Sequence, residues 1–132
     1  MLKRKIEEQF VKWKMTANRK PLIVRGVRQC GKTFSVTAFA ESNYENVVYI
    51  NFVKQESLKL AFKDAKDVDT ILMNISAAIR GVKFVPGKTC IILDEIQDCK
   101  DARTALKFFK MDGRYDVIGT GSLLGVKGYG DE

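Results

Sequence analysis

A chain of 132 residues with 45% apolar and 30% charged side chains is expected to be one globular domain, and this composition excludes a disordered chain. Its net charge of +7, from 23 basic and 16 acidic residues, suits contact with phosphate, on a nucleic acid or on a polyphosphate. Three cysteines without a CxxC pair, and no histidine, argue against a disulfide framework and against an ordinary zinc site. With no signal peptide and no apolar run of transmembrane length, the expected location is the cytoplasm, with no membrane partner.

Residues 2–15 are amphipathic at helical spacing, with Leu2, Ile6, Phe10 and Trp13 on one stripe and Lys and Glu elsewhere. The densest basic stretch lies here and just beyond (Lys3, Arg4, Lys5, Lys12, Lys14, Arg19, Lys20), and reads as a solvated helix face. Trp13 reads as a core anchor. A polar link over 16–20 leads to Pro21, which opens a short apolar strand over 21–25.

The following stretch, Gly26-Val27-Arg28-Gln29-Cys30-Gly31-Lys32-Thr33, matches G-x-x-x-x-G-K-[ST], and residues 34–40 after it read as helix. Strand, glycine loop and helix is the context in which this pattern cradles phosphate. Successive backbone N–H groups wrap the anion, and the helix start turns its partial positive charge toward it. Gly26 and Gly31 permit positive φ and a close backbone approach. Lys32 is expected to reach the β- and γ-phosphates, the Thr33 hydroxyl to take a place on Mg²⁺, and Phe34 to adjoin the bound nucleotide. Cys30 stands at a loop position usually held by a small residue. Arg25 and Arg28, at and within the loop, read as solvent-facing or Asp-paired.

Residues 41–45 read as a turn-rich connector and 46–52 (NVVYINF) as a strand covered on both faces. A short helix is expected near 57–62. A longer one, capped by Asp67 or Asp69, runs through Ile71, Leu72, Ile75 and Ile79 to end near Arg80 and Gly81. Pro86-Gly87 signals a type II turn. Residues 89–95 (TCIILDE) form an apolar strand ending in two acids, 101–111 a helix closed by Gly113, and 115–120 a fourth strand leaving through Gly121 and Ser122. The stretch 123–132 is a glycine-rich tail.

Strands alternating with helices predict a parallel α/β sheet with its ligand at the carboxyl ends of the strands. The loop, Asp94-Glu95 and Thr120/Ser122 all follow such ends. Asp94 is expected to hold Mg²⁺ opposite Thr33, and Glu95 to polarise the attacking water. Thr120 or Ser122 is placed to sense the γ-phosphate. No Asn-Lys-x-Asp guanine reader occurs, which favours ATP over GTP. Arg103 is a candidate finger for a neighbouring subunit.

Several stretches together carry a resemblance: 19–33 around the loop, Ile91-Ile92-Leu93-Asp94-Glu95-Ile96-Gln97, Ala102-Arg103-Thr104-Ala105-Leu106-Lys107-Phe108-Phe109, and Thr120-Gly121-Ser122-Leu123-Leu124-Gly125-Val126. The chain resembles the AAA-like P-loop ATPases of bacteria and archaea that precede an uncharacterised, nuclease-like C-terminal domain. The resemblance implies a three-layer α/β/α fold of the additional-strand glutamate type, with strand order 1-4-3-2. It also implies a fifth strand, a small helical lid region and a C-terminal domain beyond residue 132, so that the chain is an N-terminal portion whose loop strand lies at an uncovered edge open to self-association. The function implied is Mg²⁺-dependent ATP hydrolysis driving an attached domain. A binding module without appreciable turnover is the second reading, and a small-molecule kinase is disfavoured by the Asp94-Glu95 pair. Nucleic-acid contact rests on the diffuse charge alone.

Overall fold

The computed structural model describes residues 2–26 and 32–122, the side chains of 2–6, 26, 32 and 122 excepted. The side chains of Leu2 and Ile6 of the first stripe and of Lys32 and Ser122, the loop positions Val27, Arg28, Gln29, Cys30 and Gly31, and the tail therefore lie outside what is described. The elements are α1 (Leu2–Lys14), β1 (Leu22–Gly26), α2 (Lys32–Asn43), β2 (Asn46–Asn51), a 3₁₀ turn (Glu56–Ala61), α3 (Val68–Ala78), β3 (Thr89–Asp94), a second 3₁₀ turn (Ile96–Asp98), α4 (Lys100–Asp112) and β4 (Asp116–Ser122). All strand pairs are parallel, in the order β1-β4-β3-β2, the order expected.

Two of the expected boundaries are corrected by hydrogen bonding. The supposed connector at Glu41-Ser42-Asn43 is the last turn of α2, where Asn43 Nδ2 donates to the Phe39 carbonyl at 2.9 Å. Gly121 and Ser122 continue β4 instead of leaving it, because they pair with Arg25 and Gly26 of β1. Of the two candidate caps for α3, Asp67 is the one used. Its carboxylate accepts the Thr70 N–H at 2.7 Å, which holds its pKa below the usual carboxylate value. Gly113 closes α4 with φ 74°, as a left-handed C-cap requires.

The sheet is buried on both faces, and the strand period of two assigns each side chain to one of them. Cys90, Ile92, Ile118 and Val24 pack with Phe10 of α1 and with Val36 and Ala40 of α2. Ile91, Leu93, Val117, Val48 and Ile50 pack against α3, α4 and the first 3₁₀ turn, with Phe52, Phe62 and Phe109 among the bulkiest members. Three layers result. Trp13 is partly buried against the α1/α2 side, and its indole N–H donates to the Lys20 carbonyl at 2.7 Å.

At the amino ends of the strands, Asp116 Oδ2 accepts from Arg19 and from the Tyr44 hydroxyl, each at 2.5 Å. This ties the link after α1 and the end of α2 to β4. Burial, reinforced by the Asp116 bond, raises the Tyr44 pKa well above its ordinary value.

Gly119 on β4 leaves room for the second 3₁₀ turn. A Cβ there would stand 3.0 Å from Ile23 Cδ1 and 3.3 Å from Ile96 Cδ1, and Ile96 is wholly buried. Gly119→Ala is therefore expected to lower the unfolding free energy by ~1–3 kcal/mol through overpacking, read by urea denaturation. Adding Ile23→Val, which removes the nearer methyl, should recover part of that loss.

Candidate functional site

The same alternation that builds the core sets a polar row at the carboxyl ends of the strands. Tyr49 and Asn51 of β2, Asp94 of β3 and Thr120 of β4 share parity with Val47, Ile92 and Ile118, so they face α2. Asn51 is in register with Asp94, and Leu93 with Gly119, so the next residues along, Asp94 and Thr120, are neighbours.

Asp94 is only 1% exposed. A carboxylate so deep is tolerable only when its oxygens are bonded, and four neutral donors from three elements reach it. Its Oδ2 accepts from the Thr33 hydroxyl of α2 at 3.1 Å, from Asn51 Nδ2 at 3.3 Å and from the Tyr49 hydroxyl. Its Oδ1 accepts from the Thr120 hydroxyl. Thr120 Oγ1 in turn accepts the Glu95 backbone N–H at 3.3 Å, so one buried side chain locates both acids. Burial first, and then the bond to Asp94, push the Tyr49 phenol up to about 12.

Glu95 leaves the strand in the left-handed region, at φ 57° and ψ 48°. Had β3 continued, Glu95 would face the α3/α4 side, opposite Asp94. The left-handed residue breaks the alternation, and both acids line one cleft. Such a conformation in a non-glycine residue costs about 1–3 kcal/mol and persists only where the surroundings impose it. Here the Ile96–Asp98 turn, seated over Gly119, does so. Gln97 Nε2 donates to Glu95 Oε1 at 2.8 Å and fixes the carboxylate.

The cleft has a volume of ≈ 270 Å³ and is lined by Thr33, Tyr49, Asn51, Val53, Lys54, Asp94 and Glu95. Its Thr33 hydroxyl and Asp94 carboxylate form a pair of adjoining hard oxygen donors. That set fits Mg²⁺, which takes one or two carboxylates and fills its remaining places with water and phosphate oxygens. No group of three or more His, Cys, Asp or Glu side chains placed to hold a metal occurs among the described residues.

Of the residues singled out from sequence, Thr33, Asp94 and Glu95 come together in this cleft. Thr120 lies beneath it, wholly buried, its hydroxyl engaged by Asp94 and Glu95 and not turned toward the cleft. Lys32 opens α2, and Ser122 ends β4 beside Gly26. Phe34 is 70% exposed and does not line the cleft. Arg25 is exposed at the end of β1. Arg103 lies on α4, where with Lys100, Thr104 and Lys107 it borders a different groove. The chain's own sequence pattern passes over Tyr49, Asn51, Lys54 and Gln97. The signal for the first two was strand parity: Tyr49 and Asn51 alternate onto the face that Asp94 occupies in the adjoining strand.

A family model described as an AAA domain matches residues 18–127. No curated protein matches the chain.

Tyr49 gives the site a pH signature. Its folded pKa of about 12 exceeds the ordinary value of 10.0, so its contribution is fully present below about pH 10 and is lost as pH rises toward 12. Urea denaturation across that window should show the stability of the wild-type chain falling relative to Tyr49→Phe, with a constant difference below pH 10. Thr120→Val, which strips a donor from Asp94 and an acceptor from Glu95, should cost about 1–3 kcal/mol at neutral pH in the same assay.

Proposed function

The chain belongs to the AAA domain family, a family of nucleotide-binding modules of ATPase type, and we propose that it binds and hydrolyses ATP with Mg²⁺ to drive an attached domain. The observation that carries this reading is the bond from Thr33 to Asp94. It brings the residue after the loop lysine onto the acid that ends β3, and those two groups are the ones the chemistry needs side by side.

In this reading the backbone of residues 26–33 and the start of α2 cradle the phosphates. Lys32 contacts the β- and γ-oxygens. Thr33 and Asp94 hold the cation, which when bound neutralises charge developing on those oxygens. Glu95 orients the attacking water and accepts its proton, and Gln97 keeps the Glu95 carboxylate in place. Thr120 acts through the acids it positions, and Ser122, at the end of the adjoining strand, adjoins the terminal phosphate. Because β1 is the outer strand of the described sheet, on the side of the loop, it also offers an edge for self-association. Binding without appreciable turnover is the second reading, which keeps the same phosphate and cation contacts.

Calorimetry with ATP, with and without Mg²⁺, tests the first step. The wild-type chain should bind in a Mg²⁺-dependent manner, and Lys32→Ala should weaken binding by roughly tenfold or more, the loss expected of a charge-assisted contact. Glu95→Gln should retain binding while turnover falls by about 10²–10⁴, as for loss of a general base. Absence of Mg²⁺-dependent binding by the wild-type chain overturns the proposal, and binding without measurable turnover selects the second reading.

A further inference from the structure

Among the described residues that line the cleft, Lys54 is the cationic one. It stands on the turn that leaves β2, on the opposite side of β3 from β1 and the loop, as the strand order β1-β4-β3-β2 requires. The turn is not free to drift. Asn51 Oδ1 accepts the backbone N–H groups of Val53 and Lys54, each at 2.9 Å, and the Asn51 N–H itself donates to Gln55 Oε1 at 2.9 Å. The amide of the same Asn51 donates to Asp94 Oδ2. One buried side chain thus fixes the backbone of Lys54 relative to the acid that faces Thr33.

From this arrangement we propose that Lys54 is a second phosphate-binding cation, which contacts the terminal phosphoryl group of a nucleoside triphosphate from the side opposite the loop and so distinguishes a triphosphate from a diphosphate. The proposal rests on the nucleotide reading above and deepens it.

Three features support that role. The cleft wall carries two carboxylates, Asp94 and Glu95, so a phosphoryl group entering it meets repulsion that a nearby ammonium offsets. Lys54 is exposed, so its flexible side chain is able to follow an entering anion, while its backbone stays anchored. The group in reach is the terminal one: in the nucleotide reading Glu95 orients water onto that phosphoryl group, and Glu95 and Lys54 line the same cleft. A diphosphate leaves that space to water.

The experiment is calorimetry of the full chain and of Lys54→Ala, Lys54→Gln and Lys54→Arg, each titrated with Mg-ATP and with Mg-ADP, alongside Lys32→Ala. The proposal expects Lys54→Ala and Lys54→Gln to weaken ATP binding by about tenfold or more, the scale of a charge-assisted hydrogen bond, while ADP binding changes by less than about twofold. Lys54→Arg, which keeps the charge, should recover most of the ATP affinity. An unchanged ATP affinity in Lys54→Ala overturns the proposal, and so does an equal loss for both nucleotides, which marks a general electrostatic or structural effect. These outcomes leave the nucleotide site standing if the wild-type chain binds ATP and Lys32→Ala does not. If the wild-type chain binds neither nucleotide, both readings fall together. Thermal unfolding of each variant guards the comparison, since an exposed lysine should leave the midpoint unmoved.

Discussion

Removing a carboxylate from water costs several kcal/mol unless hydrogen bonds replace the lost hydration, and Asp94 sits at 1% exposure. The polar end of this sheet follows from meeting that demand. Donors arrive from α2, β2 and β4, and each element must stop at the right height for its donor to reach. The demand is met by hydroxyl and amide groups that donate but bring no compensating charge. Three of the four donors converge on one oxygen, Oδ2, which faces the cleft. In the proposed function a divalent cation would find a carboxylate already aimed and held, and would add the charge that the neutral donors lack.

Strand parity and one backbone reversal divide the labour between the two acids. Parity alone would send Asp94 and Glu95 to opposite faces of the sheet. The left-handed Glu95 restores them to one cleft, and the 3₁₀ turn that follows is held down by Ile96, whose seat exists because residue 119 has no side chain. A glycine in the middle of β4 is therefore connected to the direction of a carboxylate on β3. The Thr120 hydroxyl completes the link, since it bonds the Asp94 side chain and the Glu95 backbone together.

Much of this was legible in the residues. The sheet order followed from the resemblance, and the paired acids at the end of an apolar run stand in the structure on the rim where the sequence put them, with Thr33 opposite. Boundaries were less legible where polar residues act inside an element. Asn43 reads as a turn former, yet it bonds back into its own helix. Gly121 reads as a strand exit, yet pairing with β1 keeps it in the sheet. The left-handed Glu95 has no local signature, because the residues that impose it, Gly119 and Ile96, act through space. Tyr49 and Asn51 look like ordinary strand residues until β2 is laid beside β3 in register, which makes them partners of Asp94.

The helix that follows the loop shows how the two ends of the sheet work together. α2 carries no sharp apolar stripe, and its inward residues are small or short: Ser35, Val36 and Ala40. Val36 and Ala40, with the half-buried Phe39, pack against Cys90, Ile92 and Ile118. Polar contacts at the two ends of the helix add directional constraints. Thr33, in the first turn, bonds Asp94 of β3, and Tyr44, just past the last turn, bonds Asp116 of β4. Tyr44 is further held by the Lys14 ammonium, 4.5 Å from its ring centre, so α1 takes part in fixing the far end. The Phe10–Phe39 ring contact, with centroids 4.8 Å apart, adds a further link between α1 and α2.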